Sequence, residues 1–271
     1  MSYLHLLLTR FNLNFSSYFE TDKIGKKVRT AEWLQHRFDL FEKYCFPSVK
    51  AQTNQNFKWF VLFDACTPDT YKKKIDQYKV YDNFIPFFIR PDEYWLNTIN
   101  KEINSRNPSA QYIMTTRLDN DDAIHFRFME EMKSYFSETD DYFIRFLNGY
   151  QWNVNLNILT EFFEEWGNHF SSRIEKVRSD KIQKVLGIDN TKITKLNVPI
   201  IDIKEKRKRL WLEIIHDKNL CNHYRILKPV FTSSILHFFS INEKIDCKQS
   251  VKMLLLYIKK NLKILINNKS K

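Results

Sequence analysis

The sequence predicts an α/β protein: a Rossmann-type, mostly parallel sheet flanked by helices, with a helical appendage at the C-terminus. Short apolar runs alternate with segments of helical period through the first ~150 residues, in the order β-α-β-α-β-α-β-α-β, which implies parallel strands with helices on both faces. Of 271 residues, 43% are hydrophobic and 15% aromatic, enough to build a large core and too much for a disordered chain. The only four glycines are Gly25, Gly149, Gly167 and Gly187, and no two have the spacing of GxGxxG or GxxxxGK[ST]. A bound phosphate must therefore be held by side chains, a metal or an isolated helix N-terminus.

The elements follow in order. Tyr3 to Thr9 is an apolar run that reads as a buried strand, and 12–28 is a polar loop. Thr30 caps a helix whose buried side carries Trp33, Leu34, Phe38, Leu40, Phe41, Tyr44 and Cys45, and Pro47 is expected to stop it. Phe57 to Phe63 is a second strand. Thr67-Pro68-Asp69 has the residue types of a helix start, with Tyr71, Ile75 and Tyr78 on the buried stripe. Phe84 to Ile89 is the third strand, and Pro91-Asp92 opens a helix with Leu96, Ile99 and Ile103 on one face. Tyr112 to Leu118 is the fourth strand. A helix with His125, Met129, Met132 and Phe136 follows, then a fifth strand from Tyr142 to Leu147. Beyond residue 150 the pattern weakens into mixed helical segments, including one around Trp211 to Ile215, and a basic cluster at 204–209.

In such sheets ligands bind beyond the carboxyl ends of the strands. The fourth strand ends in Asp119-Asn120-Asp121-Asp122. Three carboxylates in four residues repel one another unless solvent, arginines or a divalent cation neutralises them, and carboxylate oxygens suit Mg²⁺ or Mn²⁺. Asp64 ends the second strand, where it can accept a hydrogen bond from a nucleobase or ribose. Thr9 and Arg10 end the first strand, and Arg10 and Arg117 can each pair with a phosphate or an acid.

The strings LLLTRFN (6–12), WLQHRFDLFEKYCFPSV (33–49), FKWFVLFD (57–64), YIMTTRLDNDDAIH (112–125) and WLEIIHDKNL (211–220) together resemble the bacterial putative rhamnosyltransferase family. The resemblance spans residues 3 to 225 and implies a GT-A glycosyltransferase fold. It implies that Asp119-Asn120-Asp121 is a DxD motif, with Asp121 on a Mn²⁺ or Mg²⁺ ion, Asp119 on the ribose or the metal, and His216 reaching back to the metal or diphosphate. It further implies that Asp64 reads the base and that Thr9, Arg10 and Arg117 line the nucleotide pocket. Inversion at the sugar carbon needs a general base. Glu175 is the first candidate, with Asp122 and Glu213 as rivals, and Asn148-Gly149-Tyr150 could pass close to donor or acceptor.

The expected function is metal-dependent transfer of a sugar, rhamnose or another hexose, from a nucleotide-sugar to a glycan or lipid-linked acceptor in surface polysaccharide assembly. Two other classes compete. A nucleotidyltransferase would usually carry a Gly-rich loop where Thr-Arg-Phe-Asn stands, and a two-metal nuclease needs further acids from separate strands. The net charge of +11 admits a nucleic-acid-binding protein, but no nucleic-acid module is present, so no nucleic-acid partner is expected.

Cys45, Cys66, Cys221 and Cys247 are scattered, which argues against a zinc ribbon or disulfide framework. With no secretory leader pattern and no apolar run of ~18 residues, a cytoplasmic protein is expected. The division expected is 1–240 as the glycosyltransferase-like domain, with a nucleotide-sugar half at 1–150 and an acceptor half at 151–240, followed by a basic amphipathic helix at 241–271. From Cys247 onward there are seven lysines (Lys248, Lys252, Lys259, Lys260, Lys263, Lys269 and Lys271) and no acid. Such a helix can lie on an anionic membrane at its inner face.

Overall fold

The computed structural model describes residues 3–13, 21, 25, 27–106, 109–177, 185, 190–219 and 222–269. Gly187, Cys221, Lys271 and much of the 12–28 loop lie outside them. Seven strands form the main sheet in the order β10-β6-β9-β4-β1-β2-β3. β1 (Tyr3–Arg10) pairs in parallel with β2 (Lys58–Asp64) and β4 (Tyr112–Arg117), and β2 with β3 (Phe84–Ile89). β6 (Tyr142–Phe146) and β10 (Ile200–Ile203) run the same way, and β9 (Ser172–Lys176) lies antiparallel between β4 and β6. A second sheet has the order β5-β11-β7-β8, from β5 (Ala123–Ile124), β7 (Asn148–Asn153), β8 (Ile158–Phe163) and β11 (Trp211–Ile215).

Side chains of a strand alternate between faces, and the core divides accordingly. Leu7, Trp59, Val61 and Phe63 point to one face of the main sheet. They pack there with Phe38 of α1 (Ala31–Leu40), with Ile75 and Tyr78 of α3 (Asp69–Tyr78), and with Phe128, Met129 and Met132 of α5 (Phe128–Ser134). Leu6, Leu8, Phe60 and Leu62 point to the other face, covered by Trp95, Leu96, Ile99 and Ile103 of α4 (Trp95–Arg106). A third cluster packs Trp152, Leu159, Leu212 and Ile214 of the second sheet against Leu40 and Tyr44, with Leu236 of α6 (Ser234–His237) and then Ile241 and Ile245. The terminal helix α7 (Cys247–Lys269) therefore starts after a segment that belongs to the core, six residues later than the boundary expected at 241.

The expected alternation holds for the first four strands and their helices, and Thr30 caps α1 by accepting the Trp33 N–H at 3.2 Å. The structure corrects several details. Pro47 does not stop the first helix. A π-helical turn (Phe41–Cys45) precedes it and leads into α2 (Phe46–Lys50), with the Phe46 N–H reaching back to the carbonyl of Phe41. The wider turn makes room for a residue that has no N–H to give and whose ring crowds the preceding turn. α3 starts at Asp69 with Pro68 at its cap, and α4 starts at Trp95 rather than at Pro91. α5 starts at Phe128, because Ala123–Ile124 is drawn into pairing with β11. Trp211 to Ile215 is a strand, not a helix. It is buried throughout between β5 and β7, and a run buried on both faces has no period to distinguish it. The fifth strand does not sit beside the fourth, since β9 from the second half of the chain separates them.

Candidate active site

The turn Asp119–Asp122 carries the chain from β4 in the main sheet to β5 in the second sheet. Both sheets and the first helical segment hold it. The Asn120 amide donates to the Phe11 carbonyl at 2.9 Å and accepts from Arg37 Nη1 at 3.3 Å. The Cys45 thiol points at the Asp119 carbonyl, and Ser48 Oγ accepts the Ile124 N–H. Asp122, fully buried, takes the Ile214 N–H of β11 on Oδ1 at 2.8 Å and faces His169 Nε2 with Oδ2 at 2.8 Å.

Each carboxylate has its own cation. Asp119 lies in the fork of Arg117, at 3.1 and 3.0 Å. Burial alone would raise its carboxyl, but Arg117 with His169 and Arg10 brings it below the usual carboxylate range. Asp121 Oδ2 meets Arg37 Nη1 at 2.6 Å and His216 Nε2 at 3.0 Å. Burial raises Asp121 too, and Arg37 and His216 outweigh it, so this carboxylate stays ionised. Asp122 moves the other way: burial raises it, with Asp121 and Asp119 adding their repulsion against the pull of His169. Burial lowers His169, but the hydrogen bond and charge of Asp122 more than reverse that. Asp122 and His169 therefore form a buried, hydrogen-bonded pair whose charges favour each other.

One oxygen each of Asp119 and Asp122 and one ring nitrogen of His169 all lie within 4.8 Å of one another. Two carboxylates and an imidazole suit a divalent ion, and the imidazole favours Mn²⁺ over the more strictly oxygen-seeking Mg²⁺. The Ser171 hydroxyl, two residues on from His169, is buried without a hydrogen-bond partner among the described residues and has lone pairs to offer such a guest. The metal set implied by resemblance was Asp119, Asp121 and His216. Asp121 and His216 do meet, but on the single oxygen that Arg37 also holds, and Asn219 Nδ2 stands 3.4 Å from that oxygen.

The other expected residues separate into near and far. Arg10 sits beside Arg117 and Asp119, its guanidinium lowered to about 10 by burial and by Arg117. Thr9 does not line a pocket: it is buried in the sheet, its hydroxyl accepting from Trp59 Nε1 at 2.9 Å. Asp64 lines a cavity of about 300 Å³ with Leu13, Arg90, Asp92 and Tyr94, and one of its oxygens accepts the Cys66 N–H at 2.7 Å. Asp64 and Asn120 flank the exit of β1, which they hold through Asn12 and Phe11 respectively.

Glu175 is corrected as a candidate base. β9 runs against β4, so Ser172 lies opposite Thr116 at the acid edge and Glu175 opposite Ile113, about 10 Å down the strand. It is buried there at 3.8 Å from Arg173. Glu213 is close instead: buried on β11, bonded to Gln151 Nε2 at 2.6 Å, and raised by burial against the charge of His169. At Gly149 a side chain would run into the Trp211 ring, so the close approach this glycine permits is to that ring. That ring stacks on Phe170 at 4.9 Å and thereby positions the neighbouring His169.

His169 and Arg37 were not singled out from sequence. His169 stands six residues before Glu175, and Arg37 falls on the helix face read as apolar. Nothing local marks either, because their partners are 47 and 84 residues away.

Among solved structures, two crystal structures of S. aureus TarS, one of them of residues 1–349, match with TM-scores of 0.42 and 0.41 and identities of 11% and 10%. They cover 78% and 79% of this chain, which spans only 60% and 37% of theirs. The 4-diphosphocytidyl-2C-methyl-D-erythritol synthase from Anaerococcus prevotii DSM 20548 matches at a TM-score of 0.34 and 7% identity, over 88% of this chain and 94% of its own. Scores this low establish nothing by themselves, and the fold rests on the strand order. No curated protein sequence matches. The family model described as "Putative rhamnosyl transferase" matches residues 5–225, and with the acid turn inside that span the chain belongs to this glycosyltransferase family.

Proposed function

We propose that the protein transfers a sugar, rhamnose or another hexose, from a nucleotide-sugar donor to a hydroxyl of a glycan or lipid-linked saccharide in bacterial surface polysaccharide assembly. The observation that supports this most is the convergence of Asp119, Asp122 and His169 at the carboxyl edge of a mostly parallel sheet in a member of this family. These three would hold a Mn²⁺ or Mg²⁺ ion, which when bound would neutralise the charge growing on the departing diphosphate. Asp121 and His216 buttress the turn from beneath.

The chain's own groups do the rest. Arg10 and Arg117 bring two guanidinium groups to the same edge, where they can take phosphate oxygens. Asp64, on the rim of its cavity, accepts hydrogen bonds from the base or ribose. Glu213 takes the proton of the acceptor hydroxyl as the bond from sugar to acceptor oxygen forms and the bond from sugar to diphosphate breaks. Its raised carboxyl makes it a better base near neutrality than an exposed glutamate.

The test is a panel of nucleotide-sugars assayed for release of nucleoside diphosphate with Mn²⁺, with Mg²⁺ and with chelator. Turnover should need the ion. Glu213→Gln should lower kcat by about 10²–10⁴-fold while leaving donor binding nearly unchanged. Turnover indifferent to chelator and to Asp122→Asn would remove the proposal.

A further inference from the structure

α7 carries a surface that sugar transfer does not use. Its start is fixed: the Asp246 carboxylate accepts the N–H groups of Lys248 and Gln249 at 2.8 and 3.1 Å, and Asp246 donates its own to the Asn157 carbonyl. Ser250 and Met253 are buried against the domain, and Leu254, Tyr257 and Asn261 continue that inner side half-buried. An adjoining side is bare. Val251, Leu255, Ile258, Leu262 and Leu265 are 45–62% exposed. Their spacing of four, three, four and three residues sets them in one continuous stripe.

Lys252, Lys259 and Lys263 are exposed along one flank of this stripe. Lys260 turns elsewhere, donating to the Ile226 carbonyl. The helix has six lysines and no acid.

Two kinds of occupant fit an apolar stripe of this period: a second copy of the helix, or lipid. Charge decides between them. In a self-paired helix the flanking lysines of one copy would face those of the other, with no carboxylate on the helix to answer them. An anionic bilayer answers both features at once. The five apolar side chains sink to the acyl boundary, and the lysines reach the headgroup phosphates along their flexible stems. Among the described residues no helix is long and apolar enough to cross a membrane, so the contact is in the plane of the surface.

We propose that α7 docks the protein on an anionic lipid bilayer through the stripe from Val251 to Leu265, with Lys252, Lys259 and Lys263 at phosphate level. The proposal stands apart from the sugar chemistry and is read by binding alone. Full-length protein is sedimented with phosphatidylglycerol vesicles and with phosphatidylcholine vesicles, and its mass in solution is measured without lipid. Binding to phosphatidylglycerol is expected, falling at least tenfold on phosphatidylcholine. Lys252→Gln/Lys259→Gln/Lys263→Gln should weaken it roughly 100-fold, at roughly fivefold per lysine. Leu255→Ser/Leu262→Ser should abolish it without shifting the thermal melting temperature, because both side chains are already in water. Vesicle binding that either variant leaves intact would overturn the proposal. So would a wild-type dimer that Leu255→Ser/Leu262→Ser dissolves while vesicles go unbound, which would make a second copy the occupant.

Discussion

Arg37 is the side chain on which the acid turn depends most. It neutralises Asp121 at 2.6 Å and steadies Asn120 from a buried position. Its loss leaves the buried Asp121 carboxylate with only His216 and Asn219 to answer it, so Arg37→Met should cost about 3–5 kcal/mol in urea unfolding. Arg37→Met/Asp121→Asn should recover much of that, because no charge is then left alone. A single variant costing under ~1 kcal/mol would show the pair to be dispensable. His5 gives a second expectation at this scale. It is buried with Nε2 on Thr116 at 2.8 Å, and burial lowers it to about 3. Above about pH 6.5 it is neutral whether folded or unfolded. Below that the unfolded chain binds a proton the folded chain refuses, so stability falls by about 1.4 kcal/mol per pH unit as pH drops toward 3. His36 and His125, each lowered to about 4 by burial, add to the fall. Denaturation between pH 6 and 4 should therefore be less pH-dependent in His5→Gln than in wild type; equal slopes would refute the assignment. At this scale the sequence showed which carboxylates stand at strand ends. It could not show which cations meet them, since Arg37, His169 and Arg10 arrive from other elements.

At the scale of elements, a glycine decides how two strands of the second sheet pack. Trp211 lies over Gly149, bonds the Phe146 carbonyl through Nε1 at 2.6 Å, and stacks on Phe170. Gly149→Ala must push the indole aside, which should lower stability by about 1–3 kcal/mol and displace His169 with it. Calorimetry together with the assay for nucleoside diphosphate release checks both halves; a stable variant with full activity would contradict the coupling. The same region shows where periodicity fails. The strands of the main sheet were legible because aromatic and β-branched runs stood between helices with clear stripes. Trp211 to Ile215 had no such contrast, being apolar on both faces apart from Glu213. Pro47 misled for the opposite reason: a strong local rule gave way to a π turn that tertiary packing of Phe41 and Tyr44 sustains.

At the scale of the whole molecule, the candidate site lies where two sheets share a turn. β4 enters it from the main sheet and β5 leaves it for the second. The segment leading into β9 brings His169, and β11 brings Glu213 and the Ile214 N–H. The chain order of the first ~150 residues implied a parallel sheet and its functional edge. The second half supplies β9 and β10 to that sheet, which no local pattern announced. The most direct measurement is calorimetric titration of nucleoside diphosphates with and without Mn²⁺, on wild type, His169→Gln and His216→Gln. Binding should require Mn²⁺ and should weaken at least tenfold in His169→Gln, more than in His216→Gln. Binding that persists unchanged without the ion, or that depends on His216 more than on His169, would contradict a cation seated between Asp119, Asp122 and His169.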